Sequence, residues 1–217
     1  MISIFFFIVG IVLIVVGSKK WYKIQKAIDI KQQLENKHLE LNISKLTESE
    51  RVEKVETDIV DLEPETFNQN LNGMSKSETQ YKISEYIAVE NKVYEYVCAK
   101  YYNTHTLKNN VRLGKEEYDI IAISQSMKYN DIIFETKYLK SIITISSLHR
   151  MIKQLIEKHS IYSEVTNRVA SVVLVIVTWD PVYENIKTMV STYQKSQNFN
   201  NLNIKIINES ARNWTFE

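Results

Sequence analysis

Two carboxylates and a lysine stand a hairpin's length apart, in Tyr118-Asp-Ile-Ile-Ala122 and Asp131-Ile-Ile-Phe-Glu-Thr-Lys137. Both segments are rich in β-branched and aromatic residues and read as strands. Side chains alternate along a strand, so Glu135 and Lys137 project to one face while Phe134, Thr136 and Tyr138 project to the other. Asp119 faces away from Tyr118 and Ile120 by the same rule. If the two strands pair as a hairpin, Asp119, Glu135 and Lys137 converge at one sheet edge. Carboxylate oxygens of this kind can hold a hard cation such as Mg²⁺, which activates water. Asp119 and Glu135 are the expected metal ligands, with the Thr136 carbonyl as a third. The Lys137 ammonium would orient the water or help deprotonate it, and offset charge in the transition state. A cross-strand salt bridge also accounts for Glu135 and Lys137. The metal reading is preferred because the strand looks central, and unpaired charges there are costly.

The elements that must position these residues follow an α/β pattern. Residues 84–101 read as a helix with Ile87, Val93, Tyr94 and Val97 on one stripe and Ser84 as a cap; Glu90 lies on it. Three strands follow, over 104–113, 117–124 and 131–139. Ser146 or Ser147 caps a helix to about residue 162, with Leu148, Met151, Ile152, Leu155 and Ile156 on one face. The β-branched run 170–178 is predicted to be a strand buried on both faces, stopped by Trp179-Asp-Pro181. A helix over 182–195 and a strand over 203–207 complete the set.

This order, with an acidic residue on the second strand and Glu-x-Lys on the third, resembles the restriction-endonuclease-like PD-(D/E)xK nuclease superfamily over about residues 82–178. The matching residues are Glu90, Asp119 and Glu135-Thr-Lys137; Tyr118 stands where the family carries proline. Gln154 falls where some members carry a polar residue near the active site. The resemblance implies a restriction-endonuclease-like core, αβββαβ, with a central mixed sheet flanked by helices. It implies a Mg²⁺-dependent phosphodiesterase, Mn²⁺ substituting, that acts on DNA in preference to RNA. Its catalytic set would be Glu90, Asp119, Glu135 and Lys137, with Glu90 binding the metal through water or steadying Lys137. Glu85 and Glu95 share that helix and compete for the role. A catalytically inactive nuclease-fold scaffold or interaction protein on the membrane is the alternative.

Composition narrows the field. A formal net charge of +1 leaves phosphate binding to local patches. Beyond Gly17 the only glycines are Gly73 and Gly114, which excludes a glycine-rich phosphate loop, and there is no Gly-x-Ser-x-Gly elbow. Cys98 is the single cysteine, so no intramolecular disulfide or thiolate zinc cluster forms. The four histidines show no metal-ligand spacing.

Residues 2–17 are uncharged and apolar apart from Ser3 and the glycines, and residues 1–18 are expected to be a transmembrane anchor. A cleaved signal peptide is disfavoured because no basic region precedes the apolar run, and a buried core helix because the segment is apolar on all sides. Lys19, Lys20, Lys23 and Lys26 follow directly, which predicts a single-pass cell-membrane protein with its N-terminus out and the nuclease domain cytoplasmic. Residues 19–62 read as a helical stalk or weak coiled coil able to pair in a homodimer, its acidic run 48–65 a solvated face. Residues 63–79, with Pro64 and Asn72-Gly73, read as a linker. Residues 80–217 form the nuclease-like domain.

Overall fold

The β-branched run Ala170–Thr178 is a strand buried along almost its whole length, and a six-stranded mixed sheet assembles around it. The computed structural model describes residues 2–62, 76–196, 202–210 and 214, the side chains of residues 2–10, 12, 62, 76 and 196 lying outside the described set. In chain order the elements are α1 (Ile2–Asn42), β1 (Ile43–Lys45), α2 (Glu48–Leu62), α3 (Lys76–Tyr101), β2 (His105–Leu113), β3 (Glu116–Ser124), β4 (Asp131–Leu139), α4 (Ile145–Thr166), β5 (Ala170–Thr178), α5 (Asp180–Ser196) and β6 (Leu202–Asn208). The sheet order follows the chain from β1 to β6. Neighbours are antiparallel as far as β4, and β4, β5 and β6 are parallel. Parallel neighbours need a crossover of a dozen or more residues, which α4 and α5 supply.

The helices cover the sheet with apolar faces. On α3, Ile83, Tyr86, Val89, Val93 and Val97 are buried, each valine contributing roughly 2 kcal/mol; Ile87 and Tyr94 are half-buried at the margin of that face. On α4, Leu148, Met151, Ile152 and Leu155 face the core, while Ile156, expected beside them, is exposed. The α4 cap is Thr144, earlier than the expected Ser146 or Ser147: its hydroxyl accepts from the Ser147 N–H at 3.1 Å. Asn167 closes the helix in the left-handed region, φ 52°, with its N–H donating to the Ser163 carbonyl.

The expected stalk over 19–62 is helical as far as Asn42 and is corrected beyond it. The helix breaks after Asn42, and β1 pairs with the edge of β2, Ile43 against Leu113 and Lys45 against Val111. α2 then packs on α3 with Val55 and Ile59 buried. Thr47 and Glu50 form a capping box at its start: the Thr47 N–H donates to Glu50 at 2.8 Å, and the Glu50 N–H to the Thr47 hydroxyl at 3.4 Å. Residues 43–62 are therefore part of the folded domain. The end of α1 is docked too, with Gln32 and Leu39 buried and the Asn36 amide donating to the Ser124 carbonyl at 3.0 Å.

A buried clamp fixes that docking. Asp131 accepts from Arg168 Nε at 2.6 Å and Nη2 at 2.8 Å, from the Tyr162 hydroxyl at 2.8 Å and from the Ser124 N–H at 2.7 Å. Arg168 Nη1 reaches on to Asn36 at 2.7 Å. Among the described residues no helix is long and apolar enough to cross a membrane. The side chains of most of the expected anchor, and residues 63–75 of the expected linker, lie outside the described set; residues 76–79 open α3.

Candidate functional site

The antiparallel ladder between β3 and β4 is confined to Ile120–Ala122 against Phe134–Ile132. Beyond it the Asp119 side chain takes over, Oδ2 accepting from the Thr136 N–H at 2.6 Å. Alternation along β4 then sorts its residues. Phe134 and Tyr138 pack against Tyr101 and Tyr86 of α3, while Glu135 and Lys137 turn away from that aromatic layer toward α2 and α4.

Asp119, Glu135, Lys137 and Glu90 come together here, all buried. They meet within the sheet and not at its edge, because β2 and β5 flank the β3–β4 pair. The Lys54 ammonium of α2 lies in contact with Asp119 Oδ1 and 3.9 Å from Glu90 Oε1. Arg51, also on α2, donates to Glu90 Oε2 at 3.0 Å. Lys137 Nζ lies 3.1 Å from Glu135 and 2.7 Å from Asp58 of α2. Lys158 Nζ on α4 donates to both Glu135 oxygens at 2.8 Å. Four carboxylates thus meet four cations.

The electrostatics differ from group to group. Burial pushes the Glu135 carboxyl up, but Lys158, Lys137 and Lys54 outweigh it and hold the group well below the ordinary carboxylate range. Burial pushes Lys137 down, yet Asp58 and Glu135 raise it well above the usual lysine value. Lys54 goes the other way: burial lowers it, with Glu135 and Glu90 opposing. Lys137 is therefore a firmly held cation and Lys54 the more weakly held one. Glu90 Oε1 and Asp58 Oδ2 are buried without a hydrogen-bond donor.

Glu90, and not Glu85 or Glu95, is the helix carboxylate at the site. Glu85 bonds Tyr138 and Lys140 instead, and Glu95 is exposed. The Thr136 carbonyl accepts from the Tyr86 hydroxyl at 3.0 Å. Burial pushes Tyr86 well above its usual value, so it stays a donor. Gln154 lines a groove of about 470 Å³ that opens onto Glu135, Lys137, Asp58 and Lys158. A cavity of about 220 Å³ behind Tyr86, lined also by Ile59, Glu85 and Tyr138, contains none of the four.

Arg51, Lys54, Asp58 and Lys158 were not expected at the site. The signal for the first three is their spacing, which puts them on one helical face of a run that reads as solvated. Lys158 carries no sequence signal that separates it from Lys153 on the same helix.

The expected donor set would suit magnesium, since its oxygens, two carboxylates and the Thr136 carbonyl, are all hard. Among the described residues no three His, Cys, Asp or Glu side chains are closed around one point as metal ligands. The positive charge at this point is the Lys54 ammonium, which touches Asp119, nears Glu90 and lies in the field of Glu135. No family of known proteins, no curated protein and no solved structure matches this chain.

Proposed function

We propose that this chain is a membrane-tethered, metal-dependent nuclease that hydrolyses phosphodiester bonds in DNA. The observation that carries the reading is the Lys54 ammonium, because it marks a point where Asp119 and Glu90 converge on positive charge with Glu135 and Lys137 beside them. The αβββαβ order from α3 to β5, and its resemblance to the restriction-endonuclease-like core, support the same reading.

In this reading Asp119 and Glu135 hold Mg²⁺, with the Thr136 carbonyl as a third oxygen and Glu90 behind them. The ion would lower the pKa of a bound water and neutralise charge on the phosphate. Lys137, held protonated by its neighbours, donates hydrogen bonds to water or a phosphoryl oxygen and does not accept the proton. Tyr86 fixes the Thr136 carbonyl, and the Thr136 N–H fixes Asp119. Lys158 steadies Glu135 in its ionised form. An anchor over residues 2–17 would hold the domain at the inner face of the cell membrane, raising its local concentration toward DNA there. A stalk contact along the exposed part of α1 would make it a homodimer.

The purified full chain is expected to cleave DNA with Mg²⁺ or Mn²⁺, and Asp119→Ala or Lys137→Ala to lower the rate on the order of 10²-fold or more. Retained activity in either variant sinks the assignment. The second reading, an inactive nuclease-fold scaffold, is favoured by the pairing of the four carboxylates with four cations of the chain itself. It requires that Mn²⁺ show no affinity for the site and that neither substitution change the protein's function.

A further inference from the structure

One face of α2 fills both halves of the site. Lys54 and Asp58 are one helical turn apart and project side by side. Lys54 places an ammonium against Asp119 and near Glu90, where the nuclease reading puts a divalent cation. Asp58 places a carboxylate 2.7 Å from Lys137, where that reading puts a phosphoryl oxygen. The helix as a whole is acidic, with Glu48, Glu50, Glu53, Glu56, Asp58 and Asp61 against Arg51 and Lys54. A polyanionic helix therefore lies along the groove assigned to a polyanionic substrate, and its one deeply inserted ammonium sits among the metal-binding carboxylates.

We propose that α2 is a built-in pseudosubstrate plug, Lys54 replacing the metal and Asp58 replacing a substrate phosphate, and that cation and DNA enter as α2 withdraws. The inference rests on the nuclease reading. The plug is seated by contacts outside the reacting groups: Val55 and Ile59 in the core, and Arg112 donating to Glu50 at 2.9 Å. Its withdrawal moves the charged and apolar contacts together, since they alternate on one rigid helix. Binding of a divalent ion at Asp119 and Glu135 expels Lys54 by direct repulsion, and Asp58 loses its place once a phosphate meets Lys137.

The test uses the full chain and Mn²⁺ alone, followed by titration calorimetry and by amide hydrogen exchange. In wild type, Mn²⁺ is expected to speed exchange across residues 48–62 while the amides of β4 and β5 keep their protection. Lys54→Met is expected to bind Mn²⁺ tighter on the order of tenfold, because it removes the competing ammonium. Val55→Ala keeps every charged group and loosens the seat of α2. It is expected to move affinity the same way, and it carries the test if Lys54→Met does not fold. Equal or weaker Mn²⁺ binding by the variants than by wild type overturns the plug and leaves the nuclease reading standing. Failure of wild type and variants alike to bind Mn²⁺ overturns both.

Discussion

Replacing Lys158 by methionine tests how much of the cluster's stability is carried by charge. Its ammonium donates to both Glu135 oxygens at 2.8 Å, and its side chain is 16% exposed against 4% for Glu135. Breaking a buried pair by removing one partner costs about 3–5 kcal/mol. Here Lys137 still faces Glu135 at 3.1 Å, which puts the expected loss lower, at about 2–3 kcal/mol. Lys153→Ala on the same helix is the control: that residue pairs with Glu157 at 3.7 Å on the surface, and the change should cost no more than about 0.5 kcal/mol. The pH dependence separates charge from packing. Glu135 has its folded pKa depressed from 4.5, so its contribution is present above pH 4.5 and is lost as pH falls toward the folded value. In Lys158→Met the largest depressing influence is gone. The stability gap between wild type and variant should therefore be full at pH 7 and narrow as pH falls below 4.5. Urea unfolding at several pH values measures both quantities. A loss under about 0.5 kcal/mol, or a gap that stays constant with pH, would refute the electrostatic account.

Asp131→Ala should be among the most damaging substitutions away from the site, since it strands a guanidinium, a phenol and a backbone N–H. A loss of about 3–5 kcal/mol, or roughly 10 °C in Tm, is expected, and thermal unfolding that moves by less than a couple of degrees would contradict it. Glu50 is held down to about 2 by the Thr47 N–H, the Thr47 hydroxyl and Arg112. Its capping contribution is thus present above 4.5 and lost as pH falls through about 2. Amide exchange at the start of α2, corrected for the chemical rate, should show that loosening in wild type and not in Glu50→Gln.

Strands β3, β4 and β5 and helices α3, α4 and α5 were legible in the sequence because alternation and helical periodicity both reflect burial on one face. The β-branched run of β5 needed no alternation at all. Asp119, Glu135 and Lys137 stood out because carboxylates and a lysine inside apolar strands are conspicuous, whereas Glu90, on α3, was singled out from Glu85 and Glu95 only by the resemblance. What escaped was α2. A strand of three residues is too short to show a period, so nothing marked the break at Ile43. The charges on α2 look the same in a sequence whether water or Asp119 faces them. Lys54 could have been distinguished from Glu53 and Glu56 only by knowing that Val55 and Ile59 point inward beside it. Lys158 was equally hidden, sitting on α4 among surface residues such as Lys153 and Glu157.

The uninterrupted course of α1 from Ile2 to Asn42 has a geometric consequence. Its far end is gripped through Asn36 and Arg168 by the same carboxylate, Asp131, that closes one end of β4. At about 1.5 Å per residue, the stretch from Gly17 to Gln32, the first buried residue among those whose side chains are described, measures about 22 Å. For a chain inserted through residues 2–17, that stretch acts as a ruler and a dial at once. Its length would set how far the groove beside Glu135 and Lys137 stands from the bilayer, and its helical phase would set which way the groove faces. One inserted residue would turn the whole sheet by about 100° while lifting it scarcely at all.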